Sequence, residues 1–431
     1  MKERAFLPAV ECLDREGLKA YHAIRLRQLL GSVKARNPFY ARKLQSVSPE
    51  TDLSALPFTL KSEFVEDQAA HLPFGTNHSE PIGHYTRYCQ TSSTTGSPLR
   101  WLDTRESWQW VLDCWKAVFR GARVSEQDRI FFPFSFGPFL GFWSAFEAGF
   151  QIGAHCIPGG GMSSTVRLAM IENIHPTVLC CTPTYALWLA EVAAKESSRR
   201  LSDSSVRILI VAGEPGGSIP ATRERIEQAW GARVIDHHGL TETGPLSFEC
   251  WESPGALHIN EGEFICEVVD PETGSPVADG QRGELIVTNL GRVASPVIRY
   301  RTRDIVSRRS DACACGRSWA RLQGGILARA DDMINIRGVN VYPTSIEAIV
   351  RMVPEIVEFR STVLQPGAMR SLSIEIELSN GAHDAAAIST HLGQELRSAL
   401  GLTVPVRVVE SGSLPRFEMK ARRFVIEGGK L

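Results

Sequence analysis

The sequence predicts an α/β protein in two parts. A large amino-terminal lobe holds mixed α/β sheets and a small β region, and a small α+β lobe follows it. Three observations carry this reading. Residues 178–181 and 207–212 are short, nearly continuous apolar runs, typical of strands covered on both faces of a parallel sheet. Each ends in a Gly or Pro turn with a helical pattern behind it. Residues 257–307 have a more β-like pattern, with strands expected at 264–269, 283–288 and 297–300. From Asp331 onward a separate apolar pattern begins, which divides the chain into residues 1–330 and 331–431.

The elements follow in order. Apolar residues at Leu18, Tyr21, Ile24, Leu26, Leu29 and Leu30 predict a helix within 14–44, interrupted by Pro38. The richest apolar stretch, 130–150, contains Pro133, Pro138 and several glycines. It reads as strand, turn and buried helix, since a membrane span needs about 20 unbroken apolar residues. A helix is expected around 221–230, after the turn at 213–217. In the small lobe the pattern predicts a strand (333–336), a helix (343–352), two strands (357–364 and 372–378), a helix (385–400) and a strand (404–409).

Composition narrows the function. The 431 residues carry 47 Lys and Arg against 48 Asp and Glu, a net charge of −1, without the basic surplus that nucleic-acid binding requires. No signal peptide or membrane span is legible, so a cytoplasmic protein is expected. Its ten cysteines are then expected as reduced thiols or metal ligands.

Five segments carry chemistry. Thr91, Ser92, Ser93, Thr94 and Thr95 form an unbroken hydroxyl run closed by Gly96. Such a turn offers N–H and O–H donors to a polyphosphate, and a solvated linker is the alternative. Gly213, Glu214 and Pro215 form a turn at a strand end, where backbone can meet a flat base. In the segment 236–244, Gly239 permits close backbone approach and Thr241 can donate to phosphate. Glu242 can hold Mg²⁺, which favours one or two carboxylates plus phosphate oxygens, or can be a solvated acid at a helix start. Adjacent His237 and His238 point apart on a strand, so one is expected against a ring or in the core. Asp304, among Arg299, Arg301 and Arg303, suits a ribose diol. Lys420 sits in a basic stretch near the end of the chain.

The order of these segments resembles the adenylate-forming superfamily of acyl-CoA synthetases, adenylation domains and luciferases. Residues 328–343, reading Ala-Arg-Ala-Asp-Asp-Met-Ile-Asn-Ile-Arg-Gly-Val-Asn-Val-Tyr-Pro, resemble its phenylacetate-CoA ligase branch. The resemblance covers nearly the whole chain. It implies that 91–96 grip the ATP phosphates, that 213–215 flank adenine, and that His238 occupies the position of an aromatic stacking near it. It further implies that Thr241 contacts phosphate, Glu242 binds Mg²⁺ and Asp304 binds ribose. Arg329 stands beside a hinge at Asp331, about which the small lobe moves. Lys420 bridges the carboxylate and ATP, and a face near Gly338 admits the coenzyme A thiol. Ser93, Arg303 and Met419 stand where the family usually has glycine.

The expected reaction is activation of an aromatic acid with ATP to an acyl-AMP, followed by transfer to CoA. Residues 134–142 are rich in Phe and Gly, and Phe136 and Gly137, with Gly239, are the expected pocket contacts. Anthranilate or a related substituted benzoate is the expected acid, by resemblance to aryl-CoA ligases of bacterial secondary metabolism. Loading of an acyl carrier protein is the near alternative, and a non-catalytic small-molecule binder the distant one. A homodimer is expected from relatives only. Cys250, His258, Cys313 and Cys315 form a Cys₃His set for structural Zn²⁺, with unligated thiols as the alternative. Cys180, Cys181 and Cys266 are expected to pack as small apolar residues.

Overall fold

The computed structural model describes residues 7–48, 50–91, 98–196, 200–336, 339–364, 370–379, 381–382, 384–417 and 421–427. The first helical pattern forms two helices, Arg15–Arg36 and Pro38–Lys43. Pro38 has no N–H to continue the first helix but suits the opening position of the second. The Asn37 side chain caps that second helix, accepting the Tyr40 N–H at 3.1 Å.

One sheet of twelve strands organises the large lobe. Five are parallel, in the order His155–Pro158, Arg129–Phe132, Val178–Cys181, Ile208–Val211 and Arg233–Leu240. Val178–Cys181 and Ile208–Val211 are buried at every position. Their side chains alternate between two cores. Cys180 and Ile210 join a cluster with Trp115 and Phe132, while Cys181 and Leu209 join one with Tyr185 and Trp230. The cysteine pair therefore packs as apolar filling.

Beyond Arg233–Leu240 the pairing turns antiparallel, through Gly244–Glu249, Ala256–Ile259, Arg321–Gln323, Tyr300–Arg309, Arg282–Asn289 and Phe264–Val269. Ala328–Arg329 pairs with Tyr300–Arg309 as well. The strand expected at 297–300 starts only at Tyr300. Arg299, immediately before it, has φ +45°, outside extended backbone. Its guanidinium is held by Glu267 and by the carbonyls of Ser54 and Leu56.

The small carboxyl-terminal domain carries its own core, around Ile346, Ile374 and Leu396. Its sheet has the order Val406–Val409, Ser371–Leu378, Ile356–Leu364, Phe424–Glu427, backed by the helices Pro343–Arg351 and Ala385–Leu400. The last strand was not expected. It runs parallel to Ile356–Leu364, and three half-buried residues and an exposed Glu427 after a basic stretch are too short a pattern to read alone. Among the described residues no helix is long and apolar enough to cross a membrane. Residues 130–150 form a strand, a loop and the helix Leu140–Gln151.

Candidate active site

Because the five strands are parallel, the segments after Phe132, Cys181, Val211 and Leu240 leave the sheet at one edge. Ligands of open α/β sheets collect there, where the strand pattern changes. Here the change is from parallel to antiparallel, at Arg233–Leu240. Of the segments singled out in the sequence, the turn at 213–215, residues 238–242 and Asp304 lie along this edge.

His238 and Asp304 meet across it, with Nε2 and Oδ2 3.2 Å apart. Asp304 is only 2% exposed. Its other oxygen accepts Arg329 Nη1 at 3.1 Å, across the register pair Asp304–Arg329. Burial alone would push the Asp304 carboxyl up. The hydrogen bond from His238 and the charges of His238 and Arg329 outweigh it, and its pKa lies below the ordinary value. Asp304 is therefore a fixed anion at neutral pH. Arg329 also reaches Asp331 with two bonds, of 3.0 and 2.8 Å, so one side chain ties the candidate ribose acid to the candidate hinge. His237 points the other way, into the core. It packs 4.3 Å from Trp115 and contacts the Ser247 carbonyl at 2.9 Å. Burial drives its pKa down to about 3.

Glu242 does not begin a helix. It sits in the tight turn between Arg233–Leu240 and Gly244–Glu249, and is 4% exposed. Tyr300 donates its hydroxyl to Oε1 at 3.1 Å, and Lys61 Nζ lies 3.9 Å away. A buried carboxylate with spare lone pairs fits the single-carboxylate share of a magnesium site. The turn is held from below by Arg292, which donates to the Thr241 carbonyl at 2.7 Å and the Glu242 carbonyl at 3.3 Å. Arg292 is paired in turn with Asp103 through bonds of 2.8 and 2.5 Å, both side chains fully buried. At Gly239 an added Cβ would come within 2.7 Å of the Gly244 carbonyl oxygen, so the hairpin tolerates no side chain there.

The hydroxyl run begins at the tip of the hairpin Tyr85–Gln90 and Arg100–Thr104. Thr91 closes its stem: the Thr91 N–H meets the Leu99 carbonyl at 3.0 Å, and its hydroxyl accepts the Leu99 N–H at 3.0 Å. Gln90 donates its N–H to the Pro138 carbonyl at 2.7 Å, which fastens this stem to the aromatic loop. In that loop Phe136 meets Trp143 edge-to-face at 4.8 Å and Phe146 at 5.5 Å. Trp143 Nε1 donates to the Gly137 carbonyl at 3.0 Å. Ser92, Ser93, Thr94, Thr95, Gly96, Gly338 and Lys420 lie outside the described residues.

Gly213 has φ +95°, a conformation that favours glycine, and Pro215 is exposed beside it. Glu214 does not present its carboxylate to open space. Oε1 accepts the Thr184 N–H at 2.9 Å and Oε2 the Ala421 N–H at 2.7 Å.

Sequence reasoning missed Arg292, Asp103, Lys61 and the hydroxyl of Tyr300. Asp103 and Arg292 are 189 positions apart, and nothing local to either announces the pair.

A second cluster lies at the far end of Gly244–Glu249, roughly 20 Å along a six-residue strand from the Glu242 turn. The ligand atoms of Cys250, His258, Cys313 and Cys315 all lie within 4.8 Å of one another. The Cys250 and Cys313 sulfurs are 3.7 Å apart, and Cys315 Sγ is 3.5 Å from His258 Nε2. Tetrahedral zinc with its usual bond lengths sets edges of about 3.7 Å for S–S and about 3.5 Å for S–N. The His258 Nδ1 faces the Trp319 carbonyl at 3.3 Å, the outer contact that orients a metal-binding imidazole. The donor set fits zinc and leaves no coordination position open.

The profile of the AMP-binding enzyme family matches residues 42–293, and that of the AMP-binding enzyme C-terminal domain matches 338–427. The chain is 30% identical to the phenylacetate-coenzyme A ligase of Thermus thermophilus, over 98% of this chain and 99% of that one. It is 32% identical to the Escherichia coli enzyme of that name, over 97% and 96%. Among solved structures, 2-hydroxyisobutyryl-CoA ligase in its postadenylation state with 2-HIB-AMP superposes with a TM-score of 0.92 at 28% identity, covering 99% of this chain and 95% of that one. The same enzyme in its thioesterification state, with CoA, superposes at 0.73 with equal coverage.

Proposed function

The chain belongs to the AMP-binding enzyme family, in the phenylacetate-CoA ligase branch, and from that premise we propose that it joins an aromatic carboxylic acid to coenzyme A. It is an AMP-forming acid–thiol ligase, using ATP and CoA. The acid we assign is anthranilate or a related substituted benzoate. Support for a flat aromatic guest is the Phe136–Trp143–Phe146 cluster, whose loop is bonded to the stem of the hydroxyl run. Ring faces and edges favour aromatic acids.

The observation that carries the nucleotide site is the His238–Asp304–Arg329 group beside the buried Glu242. In the proposed mechanism Asp304, kept ionised, accepts both ribose hydroxyls. His238 lies against the nucleoside, while Thr241 and residues 91–96 donate to phosphate. Magnesium held at Glu242 supplies charge neutralisation when bound. The acid's carboxylate oxygen attacks the α-phosphorus, the α–β bridging bond breaks and pyrophosphate leaves. Two anions must meet, and Lys420 offsets their repulsion. The CoA thiolate then attacks the acyl carbon and AMP departs. Residues 1–330 are the proposed nucleotide lobe, 331–431 the lobe that turns about Asp331, and the surface near Gly338 the thiol entrance.

The test is ATP–pyrophosphate exchange with phenylacetate, benzoate, anthranilate and 2-hydroxyisobutyrate, followed by thioester analysis with CoA and with a carrier protein. Exchange confined to the aromatic acids, with a CoA thioester as product, is expected. Exchange with none of them, or with the aliphatic acid alone, overturns the reading.

Structural zinc at Cys250, His258, Cys313 and Cys315 is part of the proposal. Unchelated protein is expected to hold about one zinc per chain, as a four-donor site with no open position requires. Cys315→Ser should lose the metal and melt at lower temperature. A metal-free wild-type protein would remove the assignment.

A further inference from the structure

We propose that Glu214 is a positioning residue for the adenylation half-reaction, docking the carboxyl-terminal segment onto the large lobe, a role distinct from contact with adenine. The inference rests on the ligase reading above. The Glu214 carboxylate is divided between two backbone donors, with Thr184 N–H on one oxygen at 2.9 Å and Ala421 N–H on the other at 2.7 Å. Thr184 opens the helix Pro183–Glu196, where unpaired N–H groups and the helix dipole favour an anion. The same carboxylate thus caps a helix of one lobe and receives the chain of the other.

The dock is larger than one bond. Arg423 reaches the Thr184 hydroxyl at 3.1 Å while its guanidinium is held by buried Glu358. Arg416 reaches Glu191 at 3.3 Å and lies 6.0 Å above the Trp188 ring. Thr184, Trp188 and Glu191 follow at intervals of four and three, one face of a single helix. Arg416 and Ala421, on either side of positions 418–420, are therefore both tied to this face and its neighbouring turn. Arg225 adds a fourth tie, to the Ile356 carbonyl at 3.0 Å. The far better superposition on the postadenylation relative, 0.92 against 0.73, assigns these contacts to that arrangement. A contact made in one arrangement only biases the equilibrium toward it.

Glutamine is nearly isosteric with glutamate, but its single oxygen accepts from only one of the two N–H groups. With one donor unpaired, Glu214→Gln is expected to slow pyrophosphate exchange about 10- to 100-fold. The KM for ATP and thioester formation from supplied acyl-AMP should stay within about 2-fold, because the docked arrangement is left before the second step. Arg416→Met removes a tie on the other side of 418–420 without touching the 213–217 turn, and should show the same signature more weakly. A raised ATP KM with unchanged kcat in Glu214→Gln would make Glu214 a nucleotide contact and overturn the proposal. Equal losses in both half-reactions, or an Arg416→Met variant with full exchange, would overturn it as well. Wild-type protein run with the same acid separates the two readings: if it too is silent in exchange, the ligase assignment has failed rather than the dock.

Discussion

Lys420→Ala is expected to lower ATP–pyrophosphate exchange by about 100- to 1000-fold, the usual consequence of deleting one group that stabilises developing charge. Thioester formation from supplied acyl-AMP should fall by no more than about 3-fold. The asymmetry follows from charge. In the first half-reaction a carboxylate must approach a polyphosphate, and a nearby ammonium is worth most when two anions share one site. In the second, the acyl carbon is already activated and the leaving AMP needs less help. Both half-reactions would be followed on one preparation, with melting temperature as the control for folding. Equal loss in both would contradict the role assigned to Lys420. The same pair of assays separates Lys420 from Glu214, whose effect should be selective in the same direction but smaller.

Arg292→Met is expected to destabilise the large lobe by about 3–5 kcal/mol, since removing one partner of a buried ion pair leaves the other charge uncompensated. Arg292 and Asp103 are both fully buried, so solvent cannot replace the lost guanidinium. Denaturant unfolding followed by tryptophan fluorescence would measure the loss, with Trp101 lying 5.7 Å beneath the Arg292 guanidinium. Replacing Asp103 with leucine in the same chain should recover most of the stability, because the stranded charge is gone. Adenylation should not recover with it. The Thr241 and Glu242 carbonyls would still lack their donor, and the turn that presents Glu242 would be free to move. A double variant restored in both stability and activity would show that Arg292 does no more than neutralise Asp103.

Part of the candidate site was legible because its chemistry is local. A hydroxyl run, a Gly-Glu-Pro turn after an apolar strand, and a Thr-Glu pair close behind a Gly each mark a candidate within a few residues, and the family resemblance supplies the role proposed for each. The Cys-x-Cys pair at Cys313 and Cys315 was equally visible, and the fold brings Cys250 and His258 to it. What could not be read was which side chains pair across distant segments in the nucleotide site. Glu242 read as readily as a solvated acid, and became a buried carboxylate only because Tyr300 and Lys61 arrive from elsewhere. Glu214 read as part of a turn, and its bond to Ala421 spans 207 positions. The edge strand Phe424–Glu427 took its place by pairing with Ile356–Leu364, for which its own four residues carry little pattern.

The sequence alone determined the alternation of buried strands with helices, the second apolar pattern after Asp331, and the types of side chain offered as candidate ligands. These follow from periodicity and from the chemistry of single residues, which depend only on near neighbours along the chain. The tertiary structure decided which oxygen meets which donor: His238 and Arg329 on Asp304, Arg292 beneath the Glu242 turn, Glu214 shared between two lobes. Such pairings depend on distances of a few ångströms between residues up to 207 positions apart. Only the packed sheet and the docked lobe set those distances.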